Sequence, residues 1–491
     1  MKQLNKKLLP LFMSILTIFS NSGISNIFAN EQTNYQTNTF EQYQSQIFYD
    51  YYLNYSHYPA LYNPFTSNDI ILSEHEEIIF APYGVFPMEY TPQIPRTLAA
   101  SSLHSIENLP TIEVHTSNEL RRALGATGIS INSLPTSEQN GKTIVRIMND
   151  ITLSLTAELV SPPANSHRHI ILIADEKVNI SISGVFNHFT INNRTTLTID
   201  SPNINIIGRY PSLGVGIRIN NGGELFLNDG TISNINRPWP NNAVSIYRGG
   251  LFTMNGGVIT NNRSNYGGGV AVTGSSSTFI MNNGAIIENT ATSHGGGVDI
   301  DNTATFEMQG GYIINNTANL SGGGVRVDSR STFTMQGGYI ADNIANGASD
   351  TGGGGVAVFD TGTTFNMYQG TISGNIVTRD SGGGVRINNG ALFNMQGGII
   401  KNNHVTNDGR FPYGGGVALF HANSTFNMNG GSIINNSAHR GGGVAAWEAI
   451  FNMGTGNTTN GRAAQNTISE NIPIISNNRA HGAALAQQTP M

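Results

Sequence analysis

The thirteen residues STFTMQGGYIADN, from Ser331 to Asn343, recur along this chain with little alteration. ATFEMQGGYIINN (Ala304 to Asn316) and ALFNMQGGIIKNN (Ala391 to Asn403) keep nearly every apolar letter. A phenylalanine two places ahead of methionine, or a close variant, stands at Phe252, Phe279, Phe306, Phe333, Phe365, Phe393, Phe426 and Phe451, at intervals of 27, 27, 27, 32, 28, 33 and 25 residues. From each of the first seven, ten residues forward lies an asparagine: Asn262, Asn289, Asn316, Asn343, Asn375, Asn403 and Asn436. Seven residues forward lies an isoleucine each time, from Ile259 to Ile433. The additional residues therefore fall between the asparagine and the next GGGV, whose valines are Val270, Val298, Val325, Val356, Val385, Val417 and Val444. Fixed segments joined by one elastic loop describe a stack of identical units with a single tolerant edge.

Within a unit no helical periodicity occurs. V-x-V, F-x-M and an isoleucine stretch alternate as short strands, separated by turn signals of Gly-Gly, Asn-Asn and Gly-Gly-Gly. The pattern predicts an all-β, right-handed parallel β-helix of three-strand coils, each strand bonded to its copy above and below. One coil alone buries too little apolar surface to offset the entropy of ordering its backbone, so like letters must stack. The asparagine column then forms a structural ladder whose amides bond one another and the turn backbone. Roughly 340 residues of repeat predict about 12 coils, spaced by the ~4.8 Å of hydrogen-bonded strands.

Organisation differs along the chain. Lys2, Lys6 and Lys7 precede an apolar run from Leu8 to Phe19, which reads as a secretory signal peptide over 1–29 and predicts a secreted or cell-surface protein. No later run is apolar enough for a membrane span after signal cleavage. Residues 30–105 form a Tyr/Asn/Gln-rich arm, with ten of the 17 tyrosines between Tyr35 and Tyr90, read as weakly ordered or as a sticky attachment segment. Residues 106–250 supply an N-terminal cap and irregular coils; Thr116 and Glu119 have capping-box spacing for a short helix that Gly125 can end. Regular repeats fill 251–485, and 486–491 are a tail. ISNNRAHGAAL (Ile475 to Leu485) restarts the pattern without the full glycine triplet, as a cap or a truncated gene product would.

The pairing of GGGV with FTMN (Phe252 to Asn255), FIMN (Phe279 to Asn282) and FNMN (Phe426 to Asn429) resembles the repeats of bacterial polymorphic outer-membrane adhesins. More broadly it is similar to the pectate-lyase-like right-handed β-helix superfamily. The likeness covers residues 111 to 485 and implies an adhesin-like surface role, with an extracellular glycan or host-surface component as partner. Glycine replaces the alanine of the family's first motif and no autotransporter barrel follows, so the family's anchoring does not transfer.

Several chemistries are excluded. Absence of cysteine removes disulfides and thiolate sites, and a net charge of −6 offers no footprint for nucleic acid. The glycine triplets lack the GK[ST] of a phosphate loop. At GGGGVA (Gly352 to Ala357), Ala357 stands where a calcium-binding nonapeptide needs aspartate, so no metal site is expected. His167 and His169 read as ordinary surface residues.

With the motif valine inward, the residues one and three places later are expected to face outward. The third place reads Thr273, Asp301, Asp328, Phe359, Asn388, Phe420 and Trp447; the first reads Ala271, Asp299, Arg326, Ala357, Arg386, Ala418 and Ala445. Asp301, Asp328, Phe359, Phe420 and Trp447 are accordingly the candidate ligand-binding residues, with aromatics placed to stack on sugar rings. The alternative is a polysaccharide lyase or glycoside hydrolase using Asp299, Asp301, Asp328 and Arg326, beside His294, through acid/base work or a bound Ca²⁺. A purely structural surface is the third reading. No cofactor is expected under the first, and oligomeric state is left open.

Overall fold

The structure, a computed structural model, describes residues 111–454 except 126–140, 163, 184–185, 209–214, 237–241, 348–350 and 407–412, together with the short strands at 457–458, 474–476 and 479–480. The leader, the Tyr-rich arm and the tail lie outside these residues. Among the described residues, strands assemble into four sheets of 14, 12, 11 and 8 strands. Apart from one terminal antiparallel pair, Ile450–Met453 with Asn457–Thr458, neighbours in each sheet come from successive coils, so the fold is a parallel β-solenoid of about 11 turns.

Each sheet is named by its inward column. In the phenylalanine sheet the register sets Phe252 on Phe279, Phe279 on Phe306 and Met254 on Met281. The rings lie nearly parallel with centroids 4.6–4.8 Å apart from Phe252 to Phe426. This face-to-face geometry is imposed by the strand spacing, since free aromatic pairs favour offset or edge-on contact. The valine and isoleucine sheets complete one continuous core, in which these columns are fully buried.

The irregular segment before residue 251 is regular in space. Leu225, Leu197 and Ile170 continue the phenylalanine column in register, and Leu227, Ile199 and Leu172 the methionine column. Only the letters change. Helix α1 (Ser117–Ala123) begins with the expected reciprocal capping box between Thr116 and Glu119. Its apolar face, Leu120 and Ala123, is buried against the core end, and Gly125 follows at φ +74°. It covers strand ends that would otherwise invite pairing.

One expectation is corrected. From Arg263 onward each coil carries a fourth short strand just after the ladder asparagine, as at Thr290–His294, Thr317–Ala318 and Ile376–Val377. These strands form the fourth sheet, and Ala345, Val377, Val405 and Ala438 bury a small second core. The three-strand reading missed it because two-residue strands give no alternation to see.

The asparagine ladder is present and saturated. Asn316 Nδ2 donates to Asn343 Oδ1 at 3.0 Å and to Ile286 O at 2.9 Å. Its Oδ1 accepts from both Nδ2 and the backbone N–H of Asn289. The same arrangement repeats from Asn262 to Asn436, all buried. The residue before each ladder member is left-handed, with φ between 54° and 65° at Asn261, Glu288, Asn315, Asp342, Gly374, Asn402 and Asn435. The Asn-Asn pair thus divides two tasks, since asparagine tolerates that conformation better than most residues.

The glycine triplet has a packing cause at each place. A Cβ on Gly322 (φ +67°) would meet Arg326 Cβ at 2.9 Å, one on Gly323 the backbone of Ile344 at 2.6 Å, and one on Gly324 the oxygen of Gly355 at 2.7 Å. The triplet therefore folds the chain back over the valine strand.

Candidate functional site

That fold-back determines what the outward face of the valine sheet can present. Its first glycine lies over the residue after the motif valine, roofing the position that simple alternation leaves open. Phe359 and Phe420 are 8% and 7% exposed, and Asp299 and Asp328 are 5% and 7% exposed. The expected open face of carboxylates and aromatics is corrected accordingly; of the three aromatics only Trp447, at 42%, is exposed.

Arg326 draws two of the acids together. One of its guanidinium nitrogens lies 3.3 Å from Asp299 Oδ1 and the other bonds Asp328 Oδ2. Burial pushes the Asp299 carboxyl up to about 6, with Arg326 opposing the rise and the Asp301 and Asp328 charges adding to it. Asp328 is likewise raised to about 6 by burial, against Arg326 and the backbone N–H of Ser329, with the Asp360 charge on the next coil adding to the rise. His294 bonds Ser321 Oγ through Nδ1 at 2.6 Å and stacks on Tyr266. Burial, then the Arg326 charge, lowers it to about 4. Asp301 stands apart from Arg326: both its oxygens accept from Asn302, one from the backbone and one from the side chain.

A second buried pair was invisible in sequence. Arg386, expected outward, is sealed under the elastic loop and bonds Asp380 from that loop. Its guanidinium also lies 4.5 Å from the Phe420 ring centre. Phe420 meets Tyr413 edge-on at 6.0 Å, Tyr413 lies 6.2 Å from Trp447, and Arg440 donates to the Tyr413 hydroxyl. Phe420 and Trp447 thus pack against Tyr413 from a loop, while Phe359 lies 5.8 Å from the Arg326 guanidinium. Of the two early histidines, His167 is exposed as expected, whereas His169 is half-buried, bonded to Thr198 Oγ1, and lowered to about 4 chiefly by burial.

An open feature does exist, one step further along the chain. The turns joining the valine sheet to the phenylalanine sheet line a depression of about 620 Å³, walled by Asn302, Thr303, Ser329, Arg330, Asp360, Thr361 and Asn389. These residues come from four successive coils. The place three residues before each phenylalanine is left-handed throughout: Gly249 (φ 85°), Ser276 (62°), Thr303 (65°), Arg330 (64°), Gly362 (89°), Gly390 (82°), Asn423 (67°) and Glu448 (53°). Glycine occupies three of those places without strain. A side-chain-bearing residue there costs about 1–2 kcal/mol, and β-branched Thr303 is the least suited.

Among the described residues no group of three or more His, Asp or Glu side chains is arranged to hold a metal ion. No helix among them is long and apolar enough to cross a membrane. Comparison with family models, curated proteins and solved structures returns no match to this chain.

Proposed function

We propose that this chain is a secreted or cell-surface bacterial β-solenoid, right-handed as strand crossovers generally are, that binds glycan or another surface component without turning it over. The observation that carries this reading is the state of the candidate acids: Asp299 and Asp328 are engaged by one arginine beneath a glycine turn. The open polar surface lies instead at the neighbouring turns. Basic residues followed by the apolar run Leu8 to Phe19 support export. The motif resemblance to polymorphic outer-membrane adhesins supports the surface role.

A second reading rests on one specific feature. Carboxyls held near pH 6 can serve as general acids, so Asp299 and Asp328 keep a lyase or hydrolase reading in view, with Asp301 beside them and Ca²⁺ as an optional participant. One experiment separates the two. The protein is incubated with neutral and acidic polysaccharides, with and without Ca²⁺, while binding and released oligosaccharide are both measured. Retention without product is expected. Product release that disappears in Asp299→Asn or Asp328→Asn would overturn the non-catalytic reading.

A further inference from the structure

We propose that the depression over the turns at Asn302–Thr303, Ser329–Arg330, Asp360–Thr361 and Asn389 binds an acidic glycan, with Arg330 holding a uronate carboxylate. The proposal rests on the glycan-binding reading above and names its site and ligand class.

Three observations carry it. The first is the wall chemistry. Every lining residue is polar: hydroxyls, amides, one carboxylate and one guanidinium. Such walls match the dense hydroxyls of a sugar and provide no aromatic on which a base could stack. Across four coils, at ~4.8 Å per step, the depression extends about 15 Å, room for a short run of sugars.

The second is the cation. Arg146, Arg326 and Arg386 each have a carboxylate partner. Arg330 is exposed and forms no ion pair among the described residues; only its backbone N–H is engaged, by Thr363 Oγ1. A guanidinium fork matches a carboxylate in two parallel bonds, which a lysine cannot reproduce. The nearby acid has a partner of its own, since Asp360 accepts from Asn389 Nδ2 at 3.3 Å.

The third is conformational. Thr303 and Arg330 sit at φ 65° and 64° in a column that holds glycine in three coils (Gly249, Gly362, Gly390) and a side-chain-bearing residue in three others (Ser276, Asn423, Glu448), so their side chains are held at a backbone cost that glycine would not incur. Strain of this kind concentrates where a side chain is needed for its chemistry. Arg330→Gly should therefore lose binding while folding at least as well.

The test is calorimetric titration of the full chain with oligogalacturonate and with the same oligomer after carboxyl reduction, for the parent, Arg330→Gly and Arg330→Lys. The parent should bind the acidic form at least tenfold more tightly than the reduced form. Arg330→Gly should lose tenfold or more of that affinity with an unchanged or higher melting temperature, and Arg330→Lys should recover part of it. Equal binding of both oligomers, or an Arg330→Gly variant that binds like the parent, would overturn the assignment and leave the broader glycan reading standing. A parent chain that retains no glycan of any kind would remove both.

Discussion

Asn316→Ala tests the ladder directly. Asn316 is fully buried and joins four hydrogen bonds: two accepted from Asn289, one donated to Asn343 and one to Ile286 O. Alanine removes all four and gives nothing back. Asn343 Oδ1 keeps its bond from the Asn316 backbone N–H at 2.9 Å, so its loss is partial. The heaviest cost falls on Asn289, whose N–H and one amide hydrogen are left in a site without water. At about 1–3 kcal/mol for each stranded buried group, the expected loss is about 3–6 kcal/mol. Asn315, the exposed left-handed neighbour at φ 56°, is the internal control. Asn315→Gly should be neutral or stabilising by up to about 1 kcal/mol. Because stacked repeats can unfold piecemeal, denaturant melts should be paired with hydrogen exchange at the Asn289 amide. Faster exchange centred on that coil is expected in Asn316→Ala alone. A loss below about 1 kcal/mol, or equal effects at 315 and 316, would refute the claim that the second asparagine is the structural one.

Removing Asp380 should strand the sealed Arg386 charge. Asp380→Ala is expected to cost about 3–5 kcal/mol in chemical denaturation, whereas Asp380→Ala combined with Arg386→Met should recover much of it. Asp299 sets a pH dependence. Its folded pKa, about 6, is raised above the ordinary 3.8, so its favourable contribution is complete below about pH 4 and is lost as pH rises through 6. His169 and His294, lowered to about 4, act oppositely by losing stability as pH falls below 6.5. Asp299→Asn should therefore gain about 1–3 kcal/mol relative to the parent between pH 4.5 and pH 7, and a relative change of the opposite sign would exclude the assignment.

Much of the architecture was legible because ladders require identical letters. Phenylalanine, isoleucine and asparagine at constant offsets fix which residues touch, whatever lies between them. The fourth sheet was harder to see, though small residues two places after each ladder asparagine (Ser264, Ala291, Ala318, Ala345, Val377, Val405, Ala438) were its trace. The outward face of the valine sheet was misread for a different reason. Alternation states which way Asp299 or Arg386 points, but not that a glycine turn or a loop acid such as Asp380 lies over it. The turn depression was missed because its signal is conformational: Thr303 and Arg330 stand three residues before phenylalanine, in a left-handed column that three copies fill with glycine and the others with Ser276, Asn423 or Glu448.

Interlocking by the glycine triplet has an inheritance consequence. A Cβ on Gly324 would meet Asn343 Nδ2 at 3.0 Å and the next coil's Gly355 O at 2.7 Å, so the two motifs are matched parts that cannot drift separately. A genetic slip of one whole period, by contrast, delivers every matched part together and leaves each junction as it was. Chain length is then free to change in whole coils through unequal exchange, while the distance between any two equivalent turns shifts only in quantised steps.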